Sequence, residues 1–319
     1  MLLLKEGIMT SGSKHIKLVL VLLIISSGLA QAQTYPGFSQ YLTNGMVINP
    51  AYAGSRGTMS TLFSIRKQWT QVAGSPLFQT VSAHAPMKNN RVALGVLYNR
   101  QSFGVTVLQN LYGTYAYHIP VGNGRLSFGI QGGADLSNSN YVGIYTSTPN
   151  DPAFTESVSS SVLPNFGAGV YFYSNSVFLG ASVPAFLSYR ESGSSPELKV
   201  YHSFQNYDML FLAGGLITFT ESFRFKPSLL VKYSLSRPME IDFNGNFIIA
   251  DLIWLGASYR LAEESVIGIF EIQLNQQLKM GYSYDYQMGS LSSFSKGTHE
   301  MLLRYEFGYK VSAASPRYF

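Results

Sequence analysis

Of five histidines, the four beyond residue 32, His84, His118, His202 and His299, are the side chains best suited to acid–base or metal chemistry. No two of them stand at metal-ligand spacing and no HExxH pattern is present, so the reading assigns no metal site. A surface hydrolase would need a serine or aspartate beside His202 or His299. Nothing in the sequence marks such a pair, and a hydrogen-bonded structural histidine is the simpler reading. The absence of cysteine removes disulfides, thiolate metal sites, a cysteine nucleophile and a lipid-modified amino-terminal cysteine. Gly122-Asn123-Gly124 separates two strand patterns and opens no helix, which makes it a hairpin turn and not a phosphate-binding loop. The reading is therefore of a non-enzyme without a cofactor. What remains is electrostatic. With Ser236-Arg237-Pro238 as a turn, Lys232 faces Asp242 and Ser234 faces Glu240, opposite charges that fix a register at roughly 0.2–1 kcal/mol each. Lys279, Asp285, Arg304 and Glu306 form a second mixed cluster. No sign dominates, so a neutralised wall explains these charges better than an ion-selective filter does.

The elements that must carry these residues alternate. Leu126, Phe128, Ile130, Ala134 and Leu136 share one strand face, while Arg125, Ser127, Gln131 and Asp135 share the other. The same period sets Phe225, Leu229, Val231 and Tyr233 against Lys226, Ser228, Lys232 and Ser234, with Leu230 interrupting the polar face. It sets Met280, Tyr282, Tyr284 and Tyr286 against Lys279, Gly281, Ser283, Asp285 and Gln287. Met301, Leu303, Tyr305 and Phe307 stand against Glu300, Arg304 and Glu306 in the last run. Strands are expected at 58–69, 77–85, 92–100, 109–119, 124–136, 163–173, 176–183, 208–219, 223–235, 239–250, 252–261, 265–274, 277–287 and 299–310. That is about fourteen, or twelve if the sixth and seventh are misread. Links alternate between short turns and longer loops, the longest being 137–162 and 184–207.

Sequence gives the period of the oily faces and not their direction, which composition and an export signal bear on. Of 319 residues 46% are hydrophobic, 14% aromatic and only 12% charged, a low charge for a soluble domain. Lys14 and Lys17, the apolar run from Leu18 to Ile25, and Ala30-Gln31-Ala32 describe a secretory signal peptide over residues 1–32, cleaved before Gln33, with Met9 an alternative start. That run is shorter than the roughly 20 residues a spanning helix needs. Setting aside Lys5, Lys14, Lys17 and Glu6 lowers the formal charge from +5 to +3, too small an excess for a nucleic-acid partner. A soluble sandwich also alternates. Export, runs of about 9–11 residues, and tyrosines at the ends of the oily faces (Tyr115, Tyr117, Tyr233, Tyr259, Tyr286, Tyr309) favour an all-β transmembrane antiparallel barrel in outer-membrane lipid. The barrel spans residues 58–310, with both termini periplasmic and the long loops extracellular; residues 311–319 form a periplasmic tail whose Phe319 is a candidate insertion signal or partner handle.

Ahead of the first strand, residues 33–57 form a separate segment. It contains Pro36-Gly37-Phe38-Ser39-Gln40-Tyr41-Leu42-Thr43-Asn44 and then Asn49-Pro50-Ala51-Tyr52-Ala53-Gly54. Pro50 biases Asn49 away from helix and Gly54 permits a positive φ, so the second stretch reads as a compact turn. Phe38, Tyr41, Leu42, Met46, Val47, Ile48 and Tyr52 need burial, which predicts that residues 35–54 cap the periplasmic mouth or enter the lumen. Gln68 and Trp69 are expected to end the first strand at the outer interface.

These stretches, with Arg66-Lys67-Gln68-Trp69, Gly74-Ser75-Pro76, Ser82-Ala83-His84-Ala85-Pro86, Gly297-Thr298-His299-Glu300-Met301-Leu302-Leu303 and Pro316-Arg317-Tyr318-Phe319, resemble the PorP/SprF family of type IX secretion-system membrane proteins. The resemblance runs over nearly the whole mature chain. It implies an outer-membrane barrel of Bacteroidetes that serves type IX secretion and gliding motility, without catalysis. It further implies, as partners, a secreted adhesin or other type IX cargo and the periplasmic ring proteins of the machine, with an adhesin-exporting or adhesin-anchoring role favoured over a core-machine role. An outer-membrane channel for small or hydrophobic solutes is the alternative.

Overall fold

The computed structural model describes residues 37–140, 158–192, 195–201 and 204–308. The signal peptide, His202, Tyr309 and the tail at 311–319, and most of the loop expected at 137–162, lie outside the described residues. Strands follow the alternating runs: β1 (Met59–Lys67), β2 (Leu77–Pro86), β3 (Val92–Phe103), β4 (Thr106–Val121), β5 (Gly124–Ser139), β6 (Val158–Tyr173), β7 (Val177–Val183), β8 (Ser188–Ser192), β9 (Ser195–Tyr201), β10 (Met209–Gly215), β11 (Ile217–Thr220), β12 (Phe223–Ser234), β13 (Arg237–Ile249), β14 (Ile253–Arg260), β15 (Ser265–Gln273), β16 (Leu278–Gln287) and β17 (Thr298–Phe307). β8 and β9 form a separate hairpin, and β10 and β11 are one wall strand broken at Leu216, because both pair with β12. Fourteen antiparallel wall strands result. Their circuit closes, with β1 paired to both β2 and β17 and β10 paired to both β7 and β12. Closure leaves no strand edge, the condition for a sheet that meets hydrocarbon.

The faces divide as period-two alternation requires. Phe128, Phe243 and Tyr282 point outward at 45%, 52% and 37% exposure, whereas Lys279, Ser283, Asp285 and Gln287 of β16 point inward and are buried. No described helix is long and apolar enough to cross a membrane, and the strands form the wall. β4, β5 and β6 reach 16 residues each, longer than the runs expected from hydropathy, because their ends continue pairing past the apolar stretch.

Antiparallel succession gives the barrel two unlike mouths. Links 68–76, 184–208 and 288–297 lie at one, together with the two strand ends that bound 140–157. Turns such as 122–123, 174–176, 221–222 and 250–252 lie at the other, where β1 begins and β17 ends. Val121 pairs with Gly124, so Gly122 and Asn123 alone make the β4–β5 turn, and Gly122 takes the left-handed φ of 55° that a glycine tolerates best.

Candidate functional site

The lumen is occupied by the chain that precedes β1. Gly37, the first described residue of this segment, lies at the long-loop mouth, where a side chain on it would meet Arg260 at the end of β14 and Glu263 of the following turn. Arg56 ends it at the short-turn mouth, 2.7 Å from Glu306 near the end of β17. The segment therefore threads the barrel lengthwise, and the chain enters β1 from the end opposite to Gly37. A cap confined to one mouth does not describe it.

Its upper part is held by charge. Ser39 N–H donates to Glu300 Oε2 (2.8 Å) and its hydroxyl to Asp285 (2.9 Å). Gln40 donates from its backbone to Glu300 Oε1 and from its amide to the Glu300 carbonyl, both at 3.3 Å. Arg66, fully buried on β1, reaches Asp285 at 2.7 Å, Glu300 at 3.2 Å and the Ser39 hydroxyl at 2.6 Å. Arg260 bridges Asp242 (3.2 Å) and Glu263 (3.0 Å) and donates to the Phe38 carbonyl at 3.4 Å. Burial by itself would raise the Glu263 carboxyl, but Arg260 and then Arg66 outweigh it and hold the group down at about 2.

Lower down, apolar packing and backbone hydrogen bonds take over. Phe38 still lies at the upper level, edge-on to Phe78 at 6.3 Å; below it the Tyr41 hydroxyl meets Ser228 Oγ at 3.3 Å, and Thr43 donates to Glu271 at 2.6 Å. A single helical turn, α1 (Gly45–Ile48), buries Met46, Val47 and Ile48. Asn49 then adopts extended φ/ψ ahead of Pro50, and its side chain caps the following 3₁₀ turn (Pro50–Tyr52) by accepting from Ala51 N–H at 2.9 Å. The Asn49 amide also donates to the Val170 carbonyl at 3.0 Å, joining the cap to β6. Gly129 of β5 lies against the Ala51 backbone so closely that any Cβ there would collide. The Tyr52 ring sits 5.7 Å from both His84 and Tyr171. Gly54, at φ 77°, donates to His84 Nδ1 (3.1 Å), and His118 Nε2 lies 2.9 Å from the Ala53 carbonyl. His84 thus holds backbone. His299 lies elsewhere, on the outer wall, 2.7 Å from the Tyr282 hydroxyl.

Two pairings differ from the sequence expectation. Lys232 bonds Glu240 at 3.0 Å and not Asp242, which pairs with Arg260. The β12–β13 turn is Leu235-Ser236 and carries a bulge that sets Ser234 against Arg237, so the register is two residues off the one that a turn at 236–238 imposes. The cluster of Lys279, Asp285, Arg304 and Glu306 is also divided. Asp285 belongs to the Arg66 network near the long loops, while Lys279 takes Glu271 at 2.6 Å and Arg304 lies 3.4 Å from Glu306 near the short turns. Near β1, Gln68 is buried, its N–H donating to the Pro76 carbonyl at 2.9 Å; Trp69 is half-buried at φ 47° and donates its N–H to Thr298 Oγ1 at 3.1 Å. Residues central to the lumen that sequence reasoning passed over are Ser39, Thr43, Arg56, Arg260 and Glu271. Inward alternation could have flagged Arg260 and Glu271, but no pattern marks the partners on the threaded segment.

Among the described residues, no group of three or more His, Asp or Glu side chains is arranged to hold a metal ion. Closed wall, outward apolar face and filled lumen together define an outer-membrane β-barrel of the secretion and channel kind. The chain belongs to the family of type IX secretion system membrane proteins PorP/SprF, whose model matches residues 30–305. Its fold resembles the CymD monoaromatic hydrocarbon channel, at a TM-score of 0.53 and 13% identity over 88% of this chain and 95% of that one. The Ralstonia pickettii toluene transporter TbuX (TM-score 0.49, 8% identity, 82% and 92% covered) and the Acinetobacter baumannii outer membrane protein Omp33 (0.46, 7%, 78% and 98%) are more distant. No curated protein matches the sequence at significant similarity. Family and barrel place the chain in the outer membrane.

Proposed function

We propose that this chain is a noncatalytic docking barrel of type IX secretion and gliding, which supports export or surface anchoring of a secreted adhesin. The carrying observation is the lumen. Residues 37–56 run through it, and two cavities of about 10 Å³ beside them each have room for about one water. A barrel filled in this way is suited to present surfaces, not to pass solute, which weighs against the alternative of a channel for small or hydrophobic compounds. In this reading the long-loop mouth faces outward, following the usual disposition of outer-membrane barrels, and meets the adhesin; the short turns face the periplasmic ring proteins. Gentle extraction in detergent followed by affinity capture of the tagged barrel should recover a large secreted adhesin or type IX components in stoichiometric amount. Repeated recovery of the barrel alone would count against the docking role.

A further inference from the structure

Two stretches that the lumen does not absorb, around Lys67 and around His299, meet on the outside of the wall. Lys67 ends β1 and His299 lies near the start of β17; both face outward and stand directly opposite in the register, a pairing that sets Cβ atoms about 5 Å apart. The Tyr282 hydroxyl donates to His299 Nδ1 at 2.7 Å, which leaves Nε2–H as the ring's outward donor. Tyr284, the register partner of His299 on β16, packs its ring 5.1 Å from the imidazole and donates its hydroxyl to the Lys296 carbonyl at 3.2 Å. Lys296 N–H in turn donates to the Thr70 carbonyl at 3.0 Å, so loops 68–76 and 288–297 form one rim. Lys67 Nζ gives one hydrogen to the Ser75 carbonyl at 2.8 Å and keeps two. Two lysines and a histidine thus gather on one short stretch of the long-loop rim.

No carboxylate balances them there. The outward residues of β1, β2, β16 and β17 include no Asp or Glu, and none of the three bases has an ion-pair partner among the described residues. Glu264 approaches the other end of loop 288–297, at Gly289. Below the rim the same wall is apolar, with Phe63, Val81, Met301 and Leu303 at 40–59% exposure. A cationic rim above an apolar wall is complementary to a lipid whose phosphate lies at headgroup depth and whose acyl chains lie along the strands. We propose that Lys67, Lys296 and His299 bind a phosphate of a lipid A-type glycolipid on the outer wall at β16, β17 and β1. The choice of a glycolipid over a glycerophospholipid rests on the outward disposition of the long-loop mouth given above, and on exposed Ser292 and Ser293, which add hydroxyls suited to sugar in the same loop as Lys296.

The test uses the full-length barrel in phosphatidylcholine nanodiscs, titrated with phosphorylated lipid A, with the same lipid after phosphatase treatment, and with phosphatidylglycerol, bound lipid being counted by native mass spectrometry. Phosphorylated lipid A should saturate the site, with the other two about tenfold weaker. Lys67→Gln and Lys296→Gln should each weaken its binding about fivefold and the double variant more, whereas Arg91→Gln, in the exposed β2–β3 turn at the opposite mouth, should leave it unchanged. Orientation is read separately, since the chain has no cysteine of its own: the Phe294→Cys variant, altered at a position 74% exposed in loop 288–297, should react with an impermeant maleimide on intact cells. None of these measurements depends on capture of a secreted partner. Equal binding of phosphatase-treated lipid A or of phosphatidylglycerol, undiminished affinity in the double variant, or maleimide reaction only after the outer membrane is opened would each overturn the proposal.

Discussion

Arg66 does more for this molecule than its place mid-run in an amphipathic strand suggests. It is the shared partner of Asp285, Glu300 and the Ser39 hydroxyl, all out of water, so its removal takes the cation from Glu300 and leaves Asp285 only Arg260 at 3.8 Å. Arg66→Met should lower the unfolding free energy by about 3–5 kcal/mol, the range for breaking a buried pair from one side, as read by urea titration of the refolded barrel. Arg66→Met combined with Asp285→Asn and Glu300→Gln should recover much of that loss, because desolvated charge and not lost contact is the cause. Glu263 gives a pH signature. Its folded pKa of about 2 lies below the ordinary 4.5, so its contribution is complete above pH 4.5 and disappears as pH falls towards 2. The difference corresponds to at most about 3 kcal/mol. Glu263→Gln should flatten that part of the stability–pH curve, and an unaltered acid limb in the variant would show that the Arg260 bridge does not stabilise the fold.

At the scale of elements, the threaded segment and its seat are one structure. A segment that enters at one mouth and joins β1 at the other cannot swing aside on a hinge; to clear the lumen it must be drawn out lengthwise, past the Arg66 network. We expect deletion of residues 35–54 to convert a silent barrel into one with measurable single-channel conductance in planar bilayers, and an unchanged trace would rule the plug out. A milder test lies in the seat. Gly129→Val puts a side chain where the Ala51 backbone rests, so it should raise conductance or bilayer leak while leaving wall pairing intact by circular dichroism.

For the whole molecule, the decisive feature is inversion: aromatic side chains outside and ion pairs within. Phe243→Lys, on the outer face of β13, should destabilise insertion into phospholipid vesicles by about 2–4 kcal/mol if it lies near the bilayer midplane. The lumenal face of the same strand already holds Asn244 and Asn246, and Asn244→Lys should change insertion far less. Equal effects at both positions would mean that the outer face is not in lipid. The lumen itself is not uniformly polar. Leu62, Leu97, Leu230, Ile248, Ile267 and Phe178 also face inward and are buried, which gives the threaded segment apolar surface to pack on beside the ion pairs.

Strand positions, strand count and the outward set were legible from the sequence because a period of two is a local property: neighbours on one strand determine which residues share a face. The need of Phe38, Tyr41, Met46 and Tyr52 for burial was equally local. The path of residues 37–56, the partner of Lys232 and the division of the second charge cluster were not. Each depends on which residues of distant strands meet across the lumen, and a hairpin register two residues away from the expected one leaves every side chain on its proper face while exchanging every partner. Hydrophobic alternation therefore determined the wall, and only barrel closure around the threaded segment decided what the wall holds.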